Sequence, residues 1–334
     1  MQLCLCTDSV SNLALEEALD LASGFDGCAI ELAVGEGSSV SAQRVLQLLE
    51  DRQAMASFRQ LFASRGLSIA AVNCTGWALK SAFSEDFAAT VRAAIHLASA
   101  LEVDKLVTVS GCAGTPPTLL AIEWMTFAWP REYYKDLDAQ WREVAALWRE
   151  LVAEAAAHGI RSIALEFHPL QLVSNVPTLK WFRELVGPMV GATIDPGTMF
   201  WQQVDPISAI HALGPAVHHV HLKDVEVHEK QLPTAGTVLT TTPFEEPRQR
   251  AWTFRTVGIG RGDDFWGPLL RTLHDVGYDD MASISNKDSY IPQGFATNLA
   301  VRFVSRQLTK LNREVRQADR TSSDIPRTKN AVSS

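Results

Sequence analysis

Glu166 and His168 stand two apart near the end of a short apolar run, A-L-E-F-H-P at 164–169. In an extended strand alternate side chains share a side, so these two point together while Leu165 and Phe167 point the other way. The run G-A-T-I-D-P-G at 191–197 puts Asp195 at a strand end, because Pro196 cannot continue a hydrogen-bonded ladder. In H-H-V-H-L-K-D at 218–224, His219, His221 and Lys223 share one face. Three successive strand ends therefore present a carboxylate, a carboxylate and an imidazole. Glu166, Asp195 and His221 together suit one hard or borderline divalent cation, Mn²⁺ by preference and Mg²⁺, Co²⁺ or Zn²⁺ otherwise, with no thiolate to favour softer ions. Each has a structural alternative: a strand-end Glu is often solvated or ion-paired, and His219 reads as a packed interior histidine. Recurrence at equivalent places, rather than any single residue, points to a metal centre.

Such strand ends need a scaffold that brings them together. Apolar strand-like runs at 2–6, 28–34, 68–74, 105–110, 162–168, 191–195, 217–223 and 281–285 alternate with longer amphipathic segments at 15–22, 42–65, 87–101, 139–158, 179–186, 206–213, 265–276 and 293–311. Eight strand–helix units predict a closed (β/α)₈ barrel, an α/β fold of one domain spanning 1–312. No G-x-G-x-x-G opens a helix after the first strand, which argues against a dinucleotide-binding sheet. The connections at 111–138 and 224–264 are too long for plain loops, and both lie on the strand C-terminal side where barrel enzymes build their sites. Residues 313–334 are polar and without periodicity, and are expected to be a disordered tail.

Composition removes several classes of function. The 334 residues carry a net charge of −8 with no basic block, so nucleic acid and anionic membrane are poor partners. No apolar run approaches the roughly 20 residues of a membrane span. The start, M-Q-L-C-L-C-T-D-S, has neither a positive lead nor an apolar signal core. The five cysteines sit mostly in strand-like runs, as buried reduced thiols would. A cytoplasmic protein is expected.

Those strand ends, with I-D-P-G-T-M-F-W-Q-Q-V-D-P (194–206), H-V-H-L-K-D (219–224), W-T-F-R-T-V-G-I-G (252–260) and V-G-Y-D-D-M-A-S-I-S (276–285), resemble the sugar phosphate isomerase/epimerase group of xylose-isomerase-like barrels. The resemblance runs from about Leu15 to Phe303. It implies that Glu166, Asp195 and His221 ligate a divalent metal and that Glu166 exchanges a proton with the carbon beside a carbonyl. Departures accompany it. The family's S-I-E-H-E-D at the last strand is S-I-S-N-K-D here, so Ser285 replaces the fourth ligand and second base. Its Asp-Pro-Ser-His is Asp195-Pro196-Gly197-Thr198, and its Cys-His-Gly-Asn-Pro is Cys74-Thr75-Gly76-Trp77-Ala78.

Lys223 and Lys287 are candidate catalytic cations or bases, and Lys80 is a further one. Lys287 shares the strand parity of Ser285. The candidates for substrate binding are His168, Ser285, Arg255, which suits a sugar oxygen or a phosphate, and the tryptophans Trp77, Trp129 and Trp201, with Trp124 and Trp252 also on that side. Aromatic faces pack on the C–H faces of sugars, although all of these have structural alternatives as loop packing or ion pairs. The expected function is a metal-dependent isomerase or epimerase acting on a carbohydrate by deprotonation next to a carbonyl. Two alternatives stay open: the catalytic subunit of a C-glycoside deglycosidase working with a small β-rich partner, and a barrel without catalysis that serves as a binding or scaffold subunit. The resemblance also implies a homo-oligomer.

Overall fold

The computed structural model describes residues 1–35, 37–76, 78, 85–111, 132–168, 171–237, 242 and 246–323. Its strands are β1 (Gln2–Cys6), β2 (Ala29–Ala33), β3 (Ile69–Asn73), β4 (Lys105–Thr108), β5 (Ser162–Glu166), β6 (Val190–Ile194), β7 (Val217–Leu222), β8 (Asp224–Val227), β9 (Trp252–Arg255) and β10 (Met281–Ile284). Eight of them close into a parallel barrel in the order β1-β10-β7-β6-β5-β4-β3-β2. The strands are apolar along nearly their whole length because they are covered on both faces: β2 and β6 are buried at every residue.

Helices pack outside the barrel, and the main core lies between them and the strands. Trp148 meets Phe182 edge-on at 5.8 Å there. Inside the barrel Ala71, Val107 and Ala164 form a small apolar floor. The four described cysteines are free and buried, Cys4 and Cys6 in β1 and Cys28 and Cys74 directly beside β2 and β3. Among the described residues no helix is long and apolar enough to cross a membrane.

Two expectations need correction, and a third gains detail. The segment at 42–65 is two helices, Ala42–Glu50 and Arg52–Ala63, because the Asp51 carboxylate accepts the backbone N–H groups of Gln53 and Ala54 and starts a new helix. The connection at 224–264 is, as expected, no plain loop: it carries the antiparallel hairpin β8–β9, with Asp224 opposite Arg255 and Val227 opposite Trp252. Its apolar residues Val225 and Trp252 join Trp201 in a satellite core. Of the tail expected at 313–334, residues up to 323 continue the last helix, Gln293–Ser323, and 324–334 lie outside the described residues. Val315 still packs on the core and Glu314 pairs with Arg271 of the helix Asp263–Asp275, so the barrel holds this helix past residue 312.

The barrel wall is tight at Gly191, where an added Cβ would lie 2.2 Å from Cγ of His218. Gly191→Ala should therefore destabilise the protein by about 1–3 kcal/mol in urea unfolding, and adding His218→Ala should recover part of the loss. Burial and the nearby Arg183 guanidinium lower the His218 pKa from 6.5 to about 4. The unfolded chain thus binds this proton more readily, and the stability His218 contributes disappears as pH falls from 6.5 toward 4. Unfolding midpoints across that range should fall less steeply in His218→Gln.

Candidate active site

The C-terminal ends of β5, β6 and β7 converge as their sequences require. Glu166 is the last residue of β5, and His221 and Lys223 alternate along and just past β7. Asp195 follows β6, where Pro196 opens the short helix Pro196–Phe200 and the Asp195 carboxylate caps it, accepting the Thr198 N–H at 3.3 Å. All four are buried. His221 Nδ1 lies 3.6 Å from Glu166 Oε2 and 3.6 Å from Asp195 Oδ2, and Lys223 Nζ donates to Asp195 Oδ2 at 2.7 Å. One donor atom from each of Glu166, Asp195 and His221 falls within 4.8 Å of the others.

Beneath these residues lies a group that the sequence reading missed. Glu31, in the middle of β2 and fully buried, accepts from His219 Nε2 at 2.9 Å, His221 Nε2 at 2.8 Å and Asn73 Nδ2 at 2.6 Å, and also from the Ser283 hydroxyl. Glu31 thus ties His219 into the barrel interior. Because Glu31 holds His221 by Nε2, its Nδ1 is turned to the two carboxylates, where it is buried and has no hydrogen-bond partner. An unpartnered imidazole nitrogen facing two carboxylates is a donor set that fits a divalent cation.

The electrostatics follow from crowding. Burial pushes the Glu31 pKa up, but His221 and His219 outweigh it and hold Glu31 well below the usual carboxylate range. Burial opposes charge on His221, yet Glu31, Asp195 and Glu166 raise its pKa well above the ordinary imidazole value. Glu166 is likewise opposed by burial but is lowered to about 2 by Lys223 and His221. Lys223 is held as an ammonium by Asp195 and Glu166 against the penalty of burial. His168 is pushed down by burial, and its Nδ1 is also without a partner.

Above this floor opens a cavity of about 640 Å³, lined among others by Glu166, His168, Lys223 and Lys287. Trp201 and Trp252 form its apolar side, their rings stacked 5.0 Å apart and 8° from parallel, with Phe254 beside them. Lys287 sits at the rim, ion-paired with Asp8 at 2.7 Å and half exposed. Ser285 is buried next to the site, its N–H donating to the Leu222 carbonyl at 3.2 Å. Arg255, at the end of β9 on the hairpin, is placed elsewhere: it pairs with Glu226 and Asp288 and covers the ring of Tyr290, beyond β10, and it is not among the residues that line the cavity. Trp77, Trp124, Trp129 and Lys80 lie outside the described residues.

Known proteins share this framework. A relative in Bacillus subtilis strain 168, the uncharacterised protein YfiH, is 32% identical over 292 residues, covering 86% of this chain and 93% of its own. Among solved structures, the IOLI protein with a bound zinc atom superposes with a TM-score of 0.65 at 17% identity, over 93% of this chain and 99% of that one. An L-ribulose 3-epimerase superposes with a TM-score of 0.62 at 15% identity, over 95% and 97% of the two chains. The sequence profile of xylose isomerase-like TIM barrels matches residues 19–304. Since that match runs from the first helix into the last, through every strand end just described, the chain belongs to the family of xylose isomerase-like TIM barrels.

Proposed function

We propose that this protein is a divalent-metal-dependent enzyme that removes a proton next to the carbonyl of a carbohydrate or oxo-sugar, as an isomerase or epimerase does. One observation carries the reading: the unpartnered Nδ1 of His221 faces Glu166 and Asp195 at the floor of a cavity with an aromatic wall. Glu166, Asp195 and His221 would hold the cation, with Mn²⁺ preferred for this nitrogen and oxygen set. The metal supplies Lewis-acid stabilisation of negative charge developing on the carbonyl oxygen.

The chain's own residues do the rest. Glu166 is ionised at neutral pH and faces the cavity, so its carboxylate accepts the proton. A carboxylate with so low a pKa is a weak base, so the reaction depends on acidification of the substrate carbon. His168 Nδ1 offers an unpartnered group to a sugar hydroxyl. The stacked Trp201 and Trp252 pack on the C–H face of a sugar ring and exclude water.

Ser285 favours a second reading. With a hydroxyl where the resemblance calls for a second carboxylate, proton return to the opposite face of the carbon falls to Lys223 or Lys287. An elimination needs only one base at that carbon, so a lyase acting on a 3-oxo-glycoside, with a β-rich partner subunit, fits the same residues. The deciding experiment is metal analysis of the purified protein, followed by incubation of ketoses and 3-oxo-glycosides in D₂O with NMR readout. About one equivalent of Mn, Co or Zn together with deuterium at the carbon next to the carbonyl supports the isomerase reading. Release of an aglycone supports the lyase. A protein that holds no metal after reconstitution, and neither exchanges nor eliminates, is a binding or scaffold barrel.

A further inference from the structure

Lys223 does more than line the cavity. Its Nζ lies 2.7 Å from Asp195 Oδ2 and 3.8 Å from Glu166 Oε1, so it sits on two of the three groups that would hold a metal. Asp195 has little else to offer, because its Oδ1 already caps the helix Pro196–Phe200. The lysine stem reaches this place over Gly197. A Cβ added there would meet Lys223 Cγ at 2.8 Å and Cδ at 2.9 Å, so any larger residue would push the stem away. The Phe254 ring, 5.6 Å from Nζ, backs the ammonium on the cavity side. The eighth barrel strand adds no negative charge, for Ser285 is neutral and the Ser283 hydroxyl is spent on Glu31.

We infer that Lys223 is a built-in competitor of the divalent cation, and that Gly197 is the residue that admits it. An ammonium and a dication cannot share the same carboxylate oxygens at contact distance, since their repulsion in a buried site is large. Metal entry therefore requires Lys223 to leave Asp195 and Glu166. The stem already borders the cavity, so the displaced ammonium moves into the space a substrate would occupy. Metal loading thus also delivers a cation to the substrate pocket. This inference rests on the metal reading above, and it adds that the site alternates between a lysine-closed and a metal-loaded arrangement.

The test is calorimetric titration of Mn²⁺ into metal-stripped protein for the wild type, Lys223→Met and Gly197→Ala, with thermal unfolding as the check on folding. Lys223→Met should bind Mn²⁺ at least about tenfold more tightly, because no buried ion pair has to be broken first. Gly197→Ala should shift affinity in the same direction by a smaller factor. In the wild type, saturating Mn²⁺ should speed acylation of Lys223 by a water-soluble succinimidyl ester, read by peptide mass spectrometry. Equal or weaker affinity in both variants, or protection of Lys223 by Mn²⁺, overturns the inference while leaving the metal reading intact. If none of the three proteins binds Mn²⁺, the metal reading fails and this inference with it. Should Lys223→Met not fold, Gly197→Ala and the labelling of the wild type decide.

Discussion

Glu31→Ala is expected to destabilise the protein by about 3–5 kcal/mol in urea unfolding near pH 6, the range seen when one partner of a buried charged pair is removed. The Glu31 carboxylate is the common acceptor for His219, His221, Asn73 and Ser283 in the barrel interior. Deleting it strands four buried donors where water has no ready access. The pH dependence has a definite sign. Glu31 has a lowered pKa, so its contribution is complete above the ordinary value of 4.5 and is lost as pH falls through the lowered one. His221 has a raised pKa, so its contribution is complete below the ordinary 6.5 and is lost as pH rises through the raised one. The advantage of wild type over Glu31→Ala should therefore be largest between 4.5 and 6.5 and shrink on both sides. Because Glu31 turns Nδ1 of His221 to the site, Mn²⁺ affinity should fall as well, by about 10–100-fold. A loss of stability below about 1 kcal/mol, typical of a surface substitution, would mean that the network is not what holds the interior together.

Glu166→Gln is expected to reduce turnover by about 10²–10⁴-fold on any substrate the D₂O screen identifies, the usual contribution of a positioned base. The amide keeps the size of the side chain but cannot accept the proton. Deuterium incorporation next to the carbonyl should vanish with turnover, and the thermal midpoint should move far less than in Glu31→Ala, since Glu166 faces the cavity and is not the hub of the interior network. Asp195→Asn serves as the contrast: it keeps the base and weakens the hold on both Lys223 and the cation. If Glu166→Gln retained full exchange, the base would have to be sought in His168 or Lys223.

The strand ends of the candidate site were legible because they follow local rules. Period-two alternation told which side chains share a side, and a proline after Asp195 marked where β6 had to stop. The same rule applied to A-I-E-L-A would have singled out Glu31, a charge in the middle of an otherwise apolar strand. The signal was present, but its meaning was not, because nothing local shows that residues 188 and 190 positions away in the chain supply its partners. Arg255 illustrates the opposite case. Its type suits an anionic ligand, but the hairpin β8–β9 sets it against Glu226, and that pairing across the hairpin has no local pattern to announce it.

By itself the sequence determined the succession of the eight barrel strands, the parallel barrel that succession demands, and the set of donors carried at three adjacent strand ends. These are properties of neighbouring residues: hydrophobic period, glycine and proline punctuation, and side-chain chemistry. Only the tertiary structure decided that Glu31 anchors the histidines, that Lys223 lies across Asp195 and Glu166, and that Trp201 meets Trp252 to wall the cavity. Each depends on strands brought together by barrel closure, and closure is a global event whose contacts no short stretch of chain encodes.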